Sequence, residues 1–178
     1  MKTFKNNGFT LIELVVVIVI LGILAAVAAP RFINLQSEAQ TSALQGVKGA
    51  LASVISTTHA KLLVKGLDKK MLNSGTTPKA EDVIKGCSGC SFGFGFGYPA
   101  PDNKTLSVLV DGISLDFEDD FIVTTYTANG SDNYSAEIAF ADNVDPATKK
   151  LLNNTCYVKY TMSMVGLDEP TIELVECE

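Results

Sequence analysis

Gly8-Phe9-Thr10-Leu11-Ile12-Glu13, continued as LVVVIVILGILAAVAA to Ala29, is the stretch on which the reading of the whole chain depends. Every residue from Phe9 to Ala29 is apolar, small or hydroxylated except Glu13. A helix of that length spans about 30 Å, the thickness of a bilayer core. The stretch therefore predicts a membrane span carrying one carboxylate. An acid within a span costs roughly 2.5 to 3.5 kcal/mol at the centre and less near the end, where Glu13 lies, so it marks a functional position. The partner it calls for is a cation in an apolar setting, and the stretch contains none. Cleavage after Gly8 makes one, because it frees the amine of Phe9 one helical turn before Glu13 and on the same face.

The order of the surrounding signals supports that cut. A secretory signal places its small-residue cleavage site after the apolar run. Here the leader MKTFKNNG carries Lys2 and Lys5, and Gly8 precedes the run, so cleavage leaves the apolar helix on the mature chain. The two lysines hold the leader on the cytoplasmic side and send the remainder across the membrane. The 178 residues are 47% hydrophobic with formal charge −6, which becomes −8 when the leader and its two lysines are removed. So acidic a product argues against nucleic acid or an anionic lipid surface as partner.

Through its basic leader, Gly-Phe, Thr-Leu-Ile-Glu and uninterrupted span, the segment GFTLIELVVVIVILGILAAVAAP resembles the class III signal and N-terminal helix of type IV pilins. The next residues, PRFINLQSEAQTSALQG, are most similar to the pilin subfamily of mannose-sensitive haemagglutinin pili. The resemblance covers about the first 50 residues. It implies cleavage between Gly8 and Phe9 by a membrane-embedded prepilin peptidase, which also methylates the new amine of Phe9. It implies further that Glu13 meets that amine on a neighbouring copy when the subunits polymerise. The implied partners are other copies of the chain in a helical homopolymer, the peptidase/methyltransferase, the inner-membrane assembly machinery, and the inner membrane itself before assembly. The implied location is a single-pass inner-membrane precursor with a periplasmic C-terminus, then an extracellular pilus used for attachment. No cofactor is implied.

Beyond the span the helical pattern continues. Leu44, Val47, Leu51, Val54, Ile55 and Leu62 recur at spacings of three and four, one apolar face of an amphipathic helix. Gly66 is its expected terminator. Pro30 lies inside the helix and is expected to kink or loosen it. Residues 67–105 are rich in Gly, Pro, Ser and Asp and predict a loop region with one short helix near Lys79 to Ile84. Strands are predicted at Leu106 to Val110 and Ile113 to Phe117 around an Asp111-Gly112 turn, and at Phe121 to Thr127 and Tyr134 to Phe140 around a second turn. Asp145-Pro146 reads as the start of a short helix through Leu152. Cys156 to Met164 and Thr171 to Val175 close the sheet. The expected class is α+β, a long helix laid on an antiparallel sheet, as in the pilin fold. The segments are a leader over 1–8, a membrane and filament-core helix over 9–30, an amphipathic helix over 31–66 and a globular domain over 67–178, its sheet over 106–178.

Four cysteines beside an export-type N-terminus suggest disulfides, and four allow three pairings. The expected set is Cys156 with Cys177 and Cys87 with Cys90. The first pair resembles the disulfide-bounded C-terminal region of type IV pilins. Cys87-Ser88-Gly89-Cys90 has redox-motif spacing but lacks the helix start that stabilises a thiolate. The run Gly93-Phe94-Gly95-Phe96-Gly97-Tyr98 is followed by prolines rather than a helix, unlike a phosphate loop. The acidic residues Asp111, Asp116, Glu118, Asp119 and Asp120 lack calcium-loop spacing. His59 stands alone, without a nucleophile pattern. The function expected is a major pilus subunit and not an enzyme. The alternatives are a type II secretion pseudopilin and a membrane-tethered thiol oxidoreductase.

Overall fold

The computed structural model describes residues 9–73, 75–93, 97–124, 127–129, 133–163 and 169–178, without the side chains of 28–34 and 127–129. The leader, including Gly8, and the run Phe94-Gly95-Phe96 lie outside the described residues.

One helix, α1, runs Leu11–Val64. It continues through Pro30, whose side chain lies outside the description. Gly66 ends the helix. At φ +64 it donates its N–H to Leu63 O, while Leu67 N–H donates to Leu62 O, each at 2.9 Å. This crossed pair satisfies carbonyls that a helix end otherwise orphans.

The chain forms two compact units, Met1–Ala39 and Gln40–Glu178. In the first, the apolar side chains stand bare, from Phe9 at 84% exposure to Val15 at 42%. Among the described residues no helix is long and apolar enough to cross a membrane. The expected span over 9–30 is not found among them.

In the second unit the apolar face of α1 is covered. Leu44, Leu51, Ile55 and Leu62 are buried, and Val47 and Val54 pack beside them. Fully burying a side chain of this size stabilises by about 1.5–3 kcal/mol. Over Leu44, Leu51 and Ile55 the cover is a sheet of β1 (Ile113–Ser114), β2 (Phe121–Val123), β3 (Thr127–Asn129), β4 (Asn133–Phe140), β5 (Tyr157–Ser163) and β6 (Thr171–Val175). Its order is β1-β2-β4-β5-β6, with β3 also pairing β4. All pairs are antiparallel except β1 with β2. β5 alternates, sending Val158, Tyr160 and Met162 inward. The Tyr160 hydroxyl donates to Pro99 O at 2.7 Å. A second cluster, Leu62, Leu72, Ala80, Ile84, Cys87, Cys90 and Phe92, anchors the loop region and α2 (Ala80–Val83).

Four expected elements differ. The strand expected over Ile113 to Phe117 is β1 alone, since Phe117 turns to φ +59, and the one expected over Phe121 to Thr127 ends as β2 at Val123. Leu106 to Val110 is not a strand: α3 occupies Asn103–Leu109. Asp102 caps it, accepting from Thr105 N–H at 2.8 Å and from the Thr105 hydroxyl at 2.7 Å. Leu106 and Val110, one turn apart, are buried while Val108 between them is 42% exposed, so helical spacing wins over alternation. The Asp111-Gly112 turn therefore joins a helix to β1 rather than two strands of a hairpin. The segment after Asp145 is not a helix either. The Asp145 carboxylate accepts from Ala147 and Thr148 N–H at 2.7 and 3.1 Å. Lys149 then turns to φ +54, and Leu151 pairs back with Val144. Lys149 is held there from outside, by Leu115 O at 2.6 Å and the Phe117 ring at 4.1 Å.

Candidate assembly site

The first turn of α1 is built by Thr10 and Glu13. Thr10 donates to one Glu13 carboxylate oxygen from its backbone N–H at 2.8 Å and from its hydroxyl at 2.6 Å. Glu13 N–H approaches the Thr10 hydroxyl oxygen at 3.4 Å. Thr-x-x-Glu before an apolar run is a capping box, and it satisfies donors that have no partner inside the helix. The motif is spelled in the sequence, and the Glu13 carboxylate serves its own N-cap whether or not a partner cation meets it. In the isolated chain the carboxylate is held by Thr10 and fully exposed, with Phe9 beside it at 84% exposure. Phe9, Ile12, Glu13, Val16 and Val17 line one open concavity of about 400 Å³. The site is thus an apolar surface with a preoriented carboxylate and nothing covering it among the described residues.

The cysteines form the bonds Cys87–Cys90 and Cys156–Cys177. Cys87 and Cys90 have no exposure, so a substrate thiol does not reach them. The second bond joins the chain just before β5 to the chain just after β6. There Cys156 N–H donates to Glu176 O at 3.1 Å and Cys177 N–H to the Thr41 hydroxyl at 3.0 Å. Asn143, largely buried nearby, gives its amide N–H to Thr155 O and takes Asn153 N–H, so its polar groups are used internally.

His59 stacks on Tyr98 with ring centroids 4.1 Å apart, and its Nδ1 is buried without a hydrogen-bond partner among the described residues. Burial, and then the Glu169 carboxylate, push the Tyr98 phenol up. The hydrogen bonds from Thr148 and Ala147 N–H hold the Asp145 carboxyl low. Among the described residues no group of three or more His, Cys, Asp or Glu is placed to hold a metal ion.

Residues 3–29 match the prokaryotic N-terminal methylation motif. The chain is 48% identical over 59 residues to the type IV narrow pilus major component PilA5 of Thermus thermophilus, covering 32% of this chain and 51% of that protein. It is 55% identical over 38 residues to the type IV major pilin PilA of Myxococcus xanthus, covering 21% and 17%. It is 40% identical over 55 residues to the type II secretion system core protein G of Pseudomonas aeruginosa, covering 31% and 39%. The chain spans about half the length of the first relative and less of the other two. No solved structure matches it significantly.

Proposed function

We propose that this chain is the major structural subunit of a type IV pilus. The observation that carries the reading is the bare apolar surface of α1 with the oriented Glu13 carboxylate at its start, inside the methylation motif. In this account the apolar segment resides in the inner membrane before assembly, and the head lies in the periplasm. A prepilin peptidase cuts between Gly8 and Phe9 and methylates the new amine. The helices of many copies then leave the lipid and bundle into the fibre core, with Glu13 of one copy meeting the amine of Phe9 on another. Pairing the two desolvated charges sets axial register, because leaving either one unpaired in an apolar core costs several kcal/mol. The disulfide-bounded C-terminal region staples the head, whose surface faces outward for attachment. The subfamily of mannose-sensitive haemagglutinin pili is the finer assignment that the segment after Pro30 supports.

N-terminal sequencing and intact mass of sheared surface fibres test this. The expected result is a chain beginning at methylated Phe9 with two disulfides, and a chain still carrying residues 1–8 in the fibres overturns it. The likeness to core protein G supports a second reading, a pseudopilin. Electron microscopy separates the two, since a pseudopilin at native expression gives no long surface fibres.

A further inference from the structure

The Gln40–Glu178 unit carries opposite charge at its two ends. Between Lys104 and Lys149 the sequence has no lysine or arginine, while Asp111, Asp116, Glu118, Asp119 and Asp120 are exposed. The strands place this segment beside the start of the unit. Ala141 N–H donates to Asp120 O at 3.0 Å, and Phe121 pairs with Phe140. Phe140, Asp142 and Cys177 share a cavity with Gln40. At the same end Leu152 is 59% exposed, fixed by its N–H to Asn143 O at 2.9 Å. Of the nearby cations, Lys149 is engaged by Leu115 O and the Phe117 ring, and Lys150 is exposed.

From Thr41 to Val64 helix α1 advances about 35 Å. At that far end lies an open groove of about 790 Å³ lined by Ala60, Val64 and Val83 and rimmed by Lys61, Lys65 and Lys85. Val64 is 88% exposed. Beside it Glu81 pairs with Lys79 at 3.7 Å and Asp82 accepts the Lys79 backbone N–H at 3.0 Å, while the Lys65 ammonium donates to Val83 O at 3.3 Å and keeps its charge at the rim.

We propose that this groove takes the acidic end of the next copy of the chain. Leu152 of one copy then faces Val64 and Val83 of the other, and the carboxylates of Asp116, Glu118 and Asp119 face the three lysines. The inference rests on the reading of the chain as a fibre subunit and adds a contact between heads to the packing of helices. Two different, mutually complementary patches at opposite ends make a heterologous contact, which propagates into an open filament. Like charge opposes either end meeting itself. The ion pairs are exposed at the rim, so they direct partner and register more than they add affinity.

The test uses the full chain as the sole copy in cells, measuring sheared-fibre yield together with the intact mass of the membrane pool. K61E/K65E/K85E lowers fibre yield at least tenfold while the membrane pool stays processed with both disulfides. D116K/E118K/D119K does the same, and the six substitutions together restore at least half of the original yield. Unchanged yield in either triple variant, or no recovery in the combination, overturns the contact while leaving the fibre reading intact. A processed chain that forms no fibres without any substitution overturns the fibre reading and the contact with it. In otherwise unaltered fibres, Val64→Cys with Leu152→Cys gives crosslinked ladders on oxidation, and fibres that yield only monomers overturn the placement.

Discussion

Thr10 and Glu13 bind each other before any second copy arrives, so a loss of assembly in Glu13→Ala has two possible causes. Alanine removes the cap and the charge together. Gln at the same place keeps the capping geometry, since Gln serves at the third helical position as Glu does, and removes only the charge. The charge-pairing account predicts that Glu13→Gln is processed normally yet yields fibres no better than Glu13→Ala, measured in the sheared fraction. Fibres from the Gln variant at wild-type yield show that the cap alone is what matters. Tyr160 poses a separate question of protonation. Burial, and then the neighbouring Tyr98, drive its phenol far above the usual range. The unfolded chain releases that proton near pH 10 while the native protein keeps it. The Tyr160 contribution to stability is therefore constant through neutral pH and falls as pH rises above about 10, by up to ~1.4 kcal/mol per pH unit. Tyr160→Phe leaves Pro99 O unpaired and costs about 1–3 kcal/mol at pH 7. Its denaturation midpoint should then decline less steeply than that of the original chain between pH 10 and 11.

Among the elements, those with long periodicity were legible and those set by one side chain were not. The buried face of α1 could be read from spacing alone, because Leu44, Leu51, Ile55 and Leu62 repeat over five turns and a single register satisfies all of them. Gly66 was legible for a different reason, since a left-handed residue after the last apolar position admits few alternatives to glycine. β4, β5 and β6 were also readable, each being several residues long and bounded by turns. α3 was not. Leu106, Val108 and Val110 fit alternation as well as helical spacing, and the deciding feature is the Asp102 carboxylate, whose cap is a local hydrogen bond instead of a pattern. The turn after Asp145 failed through the opposite cause. Its first helical bond does form, Lys149 N–H to Asp145 O at 2.8 Å. Leu115 and Phe117, distant in sequence, then capture Lys149 and stop the helix, which no local reading contains. At the candidate site, what escaped the sequence was the cap that Thr10 supplies to Glu13.

For the molecule as a whole, the two disulfides act at different ranges. Cys87–Cys90 closes a loop of sequence separation 3 inside the cluster under the loop region. Cys156–Cys177 closes one of 21, bracketing β5 and β6 beside the Thr41 contact with α1. In the chain-entropy treatment, loops of these lengths stabilise by about 1.5 and about 3 kcal/mol respectively. Removing the longer link frees the end of the edge strand β6 and loosens the end where Cys177 meets the helix. Removing the shorter one leaves the topology fixed and exposes the buried cluster to repacking. Denaturant titration of the processed chain in detergent should therefore show Cys156→Ala with Cys177→Ala losing roughly twice the stability of Cys87→Ala with Cys90→Ala. The two losses should add, since the bonds lie in separate parts of the head. If the local pair costs as much as the distant one, the loop-region cluster, and not chain entropy, limits the stability of the head. That outcome also makes residues 67–105 a structural half of the domain instead of a covering for it, because the groove rimmed by Lys61, Lys65 and Lys85 takes one wall from that region.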